Sequence, residues 1–281
     1  MIIDCHVHML TAEGYAEKLV DTMDEAGIDM ACLLAMRQHK MWGSSSGYNH
    51  HVMQAFQKFP KRLIPFASVD IGVDPVNMID VLDLEGFRGI KVTRTKYDYN
   101  ADVMMPYYER AARYGMVLLF HTGTVARTDE DHYFDIDSSR LRPIFLDRIA
   151  RSFPSLNIIG AHLGNPWYDE AAMTLFWNPN LYFDLSGTTL KRKNAAWFRD
   201  VLWWFPDTLQ KLARNKDTHY QKSHPFERIC FGTDVPLDEI KYCVDEYNNL
   251  MDQLQMPADI RERVMGGNVA RMFGLKTKPG R

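Results

Sequence analysis

The chain of 281 residues is poor in cysteine, and its four thiols, Cys5, Cys32, Cys230 and Cys243, form no Cys-x-x-Cys pair. Three of them lie in apolar, strand-like runs, where cysteine behaves as a small buried hydrophobe. A reducing, cytoplasmic setting is therefore the expectation. No apolar run reaches the roughly 20 residues that a bilayer-spanning helix needs. The N-terminus shows no basic segment followed by an apolar one, so neither a membrane span nor a secretory signal is expected. No long basic stripe accompanies the formal net charge of −3, which speaks against nucleic acid as a partner. No Pro/Gly/Ser-rich linker or shift of composition divides the chain, so residues 1–281 read as one domain. What is present, 46% hydrophobic and 25% charged residues, describes an ordinary globular protein able to bury a sizeable core.

Apolar runs and helical stripes alternate along the chain. Strand candidates are Met1–Met9, Ile28–Met36, Leu63–Val69, Phe87–Val92, Met116–His121, Asn157–His162, Leu181–Leu185 and Arg228–Asp234. Between them lie helix candidates. One runs from a Thr11 cap to Ala26 and stops at Gly27. One carries Val52, Met53 and Phe56 and closes at Pro60, and another opens at Asp74-Pro75. Further candidates cover Asp102–Tyr114, Leu141–Phe153, Tyr168–Trp177, Asn194–Arg214 and Leu237–Leu254, with short helices in Asp259–Phe273. The strands are mostly continuous apolar runs, as in parallel sheets covered on both faces. Eight strands with intervening helices predict a single (β/α)8 TIM barrel. The rival, a doubly wound open sheet, lacks a Gly-x-Gly-x-x-Gly after any strand.

The stretch MIIDCHVHM at the start organises the rest. Side chains alternate along a strand, so Asp4, His6 and His8 are expected on one face, with the two imidazoles able to grip one ion. In a (β/α)8 barrel the site gathers at the C-terminal strand ends. Those ends carry His6 and His8, Arg37, Asp70, Lys91, His121, His162, Asp184 and Asp234. Strands one and eight become neighbours on closure, which would bring His6, His8 and Asp234 together. Taken singly, His121 and His162 also read as core histidines bonded to a carbonyl, and Asp234 as a cap on the helix after Pro236.

The set Asp4-x-His6-x-His8, Gly89-Ile90-Lys91, His121-Thr122-Gly123, Ala161-His162-Leu163-Gly164, Phe231-Gly232-Thr233-Asp234-x-Pro236 and Gly267-Asn268-Val269-Ala270-Arg271-Met272-Phe273-Gly274-Leu275 resembles the amidohydrolase superfamily. The branch resembled is that of the amidohydrolase-related proteins, which includes aminocarboxymuconate-semialdehyde decarboxylase. Pro166, after Gly164-Asn165, departs from the branch's usual run of glycines. The resemblance implies a divalent metal held by His6, His8, His121 and Asp234. Zinc leads; manganese, iron and cobalt suit the same ligands. It implies Asp234 as both ligand and proton shuttle, and His162 as a polariser or acid/base. Sister families carboxylate a lysine in the context of Lys91 to bridge two ions; Lys91 and His162 would then join the ligands. One ion is the expectation.

Two reactions follow. One is hydrolysis of an ester, lactone or amide in a small anionic substrate by a metal-activated water, with Asp234 handling the proton. The alternative is non-oxidative decarboxylation of a small aromatic or muconate-like acid. A non-catalytic binding module is a third reading, opposed by the presence of every expected ligand. Arg37, Arg94 and Arg127 follow strand ends and are candidates for binding a substrate carboxylate. Trp42, Trp167 and Trp177 are candidate pocket walls. His39 and His132 sit in loops that could overhang the site. Specificity is expected in Gln38–Tyr48, Thr93–Ala101 and Val125–Arg140. The apolar segment Trp197–Phe205 suggests a buried face or a homodimer contact.

Overall fold

The computed structural model describes residues 1–37, 40–128, 131, 135–208 and 223–276. His39 and His132 fall outside them, as do parts of two of the candidate specificity loops and residues 209–214 of the helix expected over Asn194–Arg214. Eight parallel strands run in chain order around a barrel: β1 (Ile3–His8), β2 (Met30–Leu34), β3 (Leu63–Ser68), β4 (Gly89–Val92), β5 (Val117–Phe120), β6 (Ile158–Gly160), β7 (Leu181–Asp184) and β8 (Ile229–Cys230). Two backbone hydrogen bonds draw the last strand to the first. Cys5 N–H donates to Phe231 O at 2.9 Å, and Asp234 N–H donates to His6 O at 2.8 Å.

Between the strands lie α1 (Tyr15–Ala26), α2 (Asn49–Lys58), α3 (Met78–Leu84), α4 (Met105–Arg113), α5 (Phe145–Ser152), α6 (Tyr168–Trp177), α7 (Thr188–Arg192) and α8 (Ala195–Val201). After β8 come α9 (Ile240–Gln253), α10 (Ala258–Glu262) and α11 (Asn268–Met272). Among the described residues no helix is long and apolar enough to cross a membrane.

Two apolar layers follow from the period-two alternation of strands. Ile3, Cys5, Cys32, Leu34, Ile64, Phe66, Val117, Leu119, Ile159 and Cys230 form the barrel interior, floored by Val269, Ala270 and Phe273 of the C-terminal segment. The intervening residues, among them Leu33, Ala67, Ile90, Leu118 and Phe183, pack outward against the helices. All four cysteines are free and buried, as small hydrophobes.

Three local expectations are corrected. Asp4 does not share a face with His6 and His8. The pairing of β1 with β2 slips between Asp4 and Val7, a bulge that lets both Cys5 and His6 face inward. Asp4 instead accepts from Thr233 N–H at 3.1 Å and Thr233 Oγ1–H at 2.7 Å, binding β1 to the chain beyond β8. Thr11 does not cap α1, which starts at Tyr15 behind a left-handed Gly14; Tyr15 Oη donates to His8 O at 2.8 Å. Asp74-Pro75 does not open α3, because Asp74 Oδ2 accepts from Asp70 N–H and from Arg37. The Trp197–Phe205 segment buries Phe198, Leu202, Trp204 and Phe205 inside the chain's own core.

Tyr247 of α9, fully buried, ties the ends of β7 and β8 together. Its hydroxyl accepts from Leu185 N–H at 2.9 Å and lies 3.3 Å from the carbonyls of Cys230 and Gly232. Tyr247→Phe strands the Leu185 N–H in the core, at a cost of about 1–3 kcal/mol. The expected result is a lower denaturant midpoint at unchanged slope.

Candidate metal centre

Strand β1 and the turn after β8 meet at the C-terminal mouth of the barrel. His6 Nε2 and His8 Nε2 are 3.2 Å apart. Asp234 Oδ1 lies 3.3 Å from His8 Nε2 and 3.9 Å from His6 Nε2. One donor atom from each of His6, His8 and Asp234 falls within 4.8 Å of the others. Asp234 reaches this position with φ 48°, and His162 with φ 62°, left-handed values that non-glycine residues adopt at a cost.

The three groups fit a cation. Asp234 Oδ1 and His8 Nδ1 are buried and have no hydrogen-bond partner. A buried carboxylate oxygen without a donor is costly, and a divalent ion among two imidazoles and one carboxylate satisfies it. Such a donor set, with a coordination position left open, is that of catalytic rather than structural zinc sites. Burial works against the Asp234 charge, but the facing His6, His8 and His162 imidazoles and Lys91 outweigh it and hold the carboxyl well below its ordinary range. Burial pushes His8, His121 and His162 below the usual imidazole value.

The remaining strand-end residues divide. His162 Nε2 lies 3.7 Å from Asp234 Oδ2. The His121 ring packs edge-on to His162 with centroids 4.9 Å apart, and its Nε2 faces Thr124 O at 3.4 Å. It stands beside His162, outside the group formed by His6, His8 and Asp234. Lys91 projects inward from β4 with Nζ 2.9 Å from His6 Nε2, and burial lowers its pKa to about 8. Gly123, at φ 117°, follows His121 closely because a Cβ there would sit 2.1 Å from Asn165 O. The Asn165-Pro166 bond, where the glycine run is interrupted, is cis.

A cavity of about 550 Å³ opens at the same end of the barrel. The turns after β2, β3 and β4 line it with Arg37, Asp70, Arg94 and Lys96, and the loop after β5 adds Asp135 and Ile136. Arg37 is paired with Asp70 and Asp74. Arg127 is exposed and does not line the cavity. A larger cavity of about 660 Å³ lies farther out along α2 and α3, and neither is lined by the metal-candidate side chains. Of the candidate tryptophans, Trp42 approaches the site, 6.4 Å from the His8 ring, while Trp167 lies under the Arg142 guanidinium and Trp177 packs edge-on against Phe176.

Sequence reasoning placed Asp184 at a strand end without a role, and missed Ser186 altogether. Asp184 Oδ2 accepts from His6 Nδ1 at 2.8 Å, and its Oδ1 accepts from His162 N–H at 2.9 Å. Ser186 Oγ lies 2.9 Å from His162 Nδ1. The one available signal was the Asp-x-Ser spacing where the apolar run of β7 ends.

The amidohydrolase family profile matches residues 3–275. No curated protein matches the chain. Among solved structures, an uncharacterised TIM-barrel protein from Bordetella bronchiseptica superposes with a TM-score of 0.70 at 19% identity, over 97% of this chain and 98% of that one. A probable 2-pyrone-4,6-dicarboxylic acid hydrolase from Acinetobacter baumannii, with citric acid bound, gives 0.62 at 12% identity over 98% and 99%. A dihydroxybenzoic acid decarboxylase from a Polaromonas species, with bound manganese and 2-nitroresorcinol, gives 0.60 at 16% identity over 99% and 98%.

Lys91→Met separates the roles open to that lysine. Removing a buried cation beside His6 Nε2 should leave one ion per chain bound as tightly as before or more tightly, read by metal titration with elemental analysis. Loss of metal in the variant would make Lys91 a ligand.

Proposed function

Because the chain belongs to the amidohydrolase family, we propose that it is a metal-dependent hydrolase cleaving an ester, lactone or amide bond in a small carboxylate-bearing substrate. One ion, with zinc first and manganese, iron or cobalt as alternatives, would be held by His6, His8 and Asp234; His121, expected as a fourth ligand, stands outside that group beside His162. When bound, the cation supplies Lewis-acid polarisation of the scissile carbonyl and makes a water nucleophilic near neutral pH.

The observation that carries this reading is the convergence of His6, His8 and Asp234 at the barrel mouth around a buried carboxylate oxygen that has no donor. The Asp234 carboxyl lies well below its ordinary range, and burial pushes His8 and His162 below the usual imidazole value. A pocket rich in proton acceptors is suited to deprotonating a nucleophile. Asp234 Oδ2 and His162 Nε2, 3.7 Å apart, take up the proton of the attacking water and return it to the leaving group. Arg37, Arg94 and Lys96 in the cavity wall offer positive charge to the substrate carboxylate, Arg37 from within a pairing with Asp70 and Asp74.

Decarboxylation of a small hydroxylated aromatic or muconate-like acid is the second reading. The cationic wall supports it, as does the activity of the manganese-bound decarboxylase of similar fold. It requires an acid to protonate the carbon that loses carbon dioxide, a role for Asp234 or His162, 3.7 Å apart, with the buried Lys91 ammonium close by, 2.9 Å from His6 Nε2.

Isotope labelling separates the two. Hydrolysis of carboxylated lactones or esters in oxygen-18 water puts the label into the product acid. Decarboxylation of hydroxybenzoates in deuterium oxide releases carbon dioxide and leaves deuterium on carbon. Asp234→Asn is expected to lower turnover by about 100-fold or more on the active substrate class. A variant as active as the parent would remove Asp234 from the reaction.

A further inference from the structure

We infer that Asp184 and Ser186 act together as a device that fixes the tautomers of two imidazoles at once, keeping both His6 and His162 protonated on Nδ1 and bare on Nε2. Ser186 and Asp184 are positioning residues. They act through the histidines and reach nothing else in the site.

One carboxylate sets the proton count. Asp184 Oδ1 accepts three hydrogen bonds, from His162 N–H at 2.9 Å, Ser186 N–H at 2.9 Å and the Ser186 hydroxyl at 2.5 Å. A proton on that oxygen would collide with the two backbone N–H donors, so Asp184 is acceptor-only and the proton between the two oxygens belongs to the serine. The Ser186 hydroxyl has one proton, now committed, and presents only lone pairs to its ring-nitrogen neighbours. These are His162 Nδ1 at 2.9 Å, which must therefore carry the proton, and, farther off, His6 Nδ1 at 3.4 Å. On its other oxygen, Asp184 Oδ2 faces His6 Nδ1 at 2.8 Å. Although burial works against its charge, His6 and the bonds from His162 hold this carboxyl well below its ordinary range. Oδ2 therefore accepts, and the proton sits on His6 Nδ1.

Asp184 and Ser186 are 0% and 1% exposed, so water does not compete for these bonds. Both Nε2 lone pairs then face the mouth of the barrel. His6 Nε2 is presented as a ligand, toward His8 and Asp234. His162 Nε2 meets Asp234 Oδ2 across 3.7 Å. Two acceptors facing one gap specify that a donor belongs between them. Resting on the hydrolase reading, this makes His162 the group that accepts a proton from the nucleophile, an acceptor in the resting state and a donor only after one transfer.

Histidine tautomers are read directly by nitrogen chemical shifts, independently of turnover. The test uses the full chain labelled with nitrogen-15 histidine, metal-free and zinc-loaded, at about pH 8, where an ordinary imidazole is neutral. His162 and His6 signals are assigned by His162→Gln and His6→Gln. The parent should show proton-bearing Nδ1 and bare Nε2 for both rings. In Ser186→Ala the His162 pattern should invert, because nothing holds the proton on Nδ1 while the Asp234 carboxylate draws it to Nε2. His6, bonded to Asp184 directly, should not change. Ser186→Thr keeps the hydroxyl and should restore the parent pattern. Turnover of Ser186→Ala should fall on the order of tenfold to a hundredfold at unchanged metal content.

A parent spectrum with the His162 proton on Nε2 overturns the inference. So does a Ser186→Ala spectrum identical to the parent, or one in which His6 and His162 invert together, which would show general loosening. Should Ser186→Ala fail to fold, the parent and Ser186→Thr spectra still decide it. Failure of the hydrolase reading leaves the tautomer result standing, since the spectra need no substrate.

Discussion

Closure of the barrel between its first and last strands is the constraint on which the site depends. The hydrogen bond from Asp234 N–H to His6 O and the side-chain bridge from Asp4 to Thr233 hold the turn after β8 against β1. The same contacts place the Asp234 carboxylate within 4 Å of two imidazoles from the opposite end of the sequence. Hydrophobic packing supplies the layers. The seam sets the distances.

Around that seam the protein concentrates proton acceptors in a dry place. Three histidines are pushed toward neutrality by burial, and one carboxylate is held ionised. Left with an orphaned carboxylate oxygen, such a pocket is costly by itself and favourable once a cation is shared among the donors. The left-handed backbone at Asp234 and His162 belongs to the same economy, since local strain persists where the surrounding structure enforces it.

Much of this was legible in the residues. Alternating apolar runs revealed the barrel, and the strand-end rule collected His6, His8, His162 and Asp234 before any coordinates. Two kinds of feature were not legible. The first is register: the bulge between Asp4 and Val7 moves Asp4 away from the histidines, and nothing in the local sequence distinguishes a bulged strand from a regular one. The second is competition for partners. Asp74 reads as a helix cap until Arg37 is found beside it, and Arg37 reads as a free substrate clamp until the same pairing is seen. Asp184 was legible only as a strand-end residue without a role, and Ser186 not at all, because their bonds reach His6 and His162, on other strands, and acquire meaning only through them.

The floor of the barrel has a consequence for biosynthesis. Val269, Ala270 and Phe273 seal the interior beneath β1, and the Phe231 N–H that neighbours the seam donates to Val264 O. The residues through Phe231, Asp234 and the 269–273 segment must therefore leave the ribosome before the first strand gains its final neighbours. Until then β1 carries an unpaired edge of the kind that invites intermolecular association. Shortened translation products would lack the complete set of ion-holding groups and would sequester no metal through it.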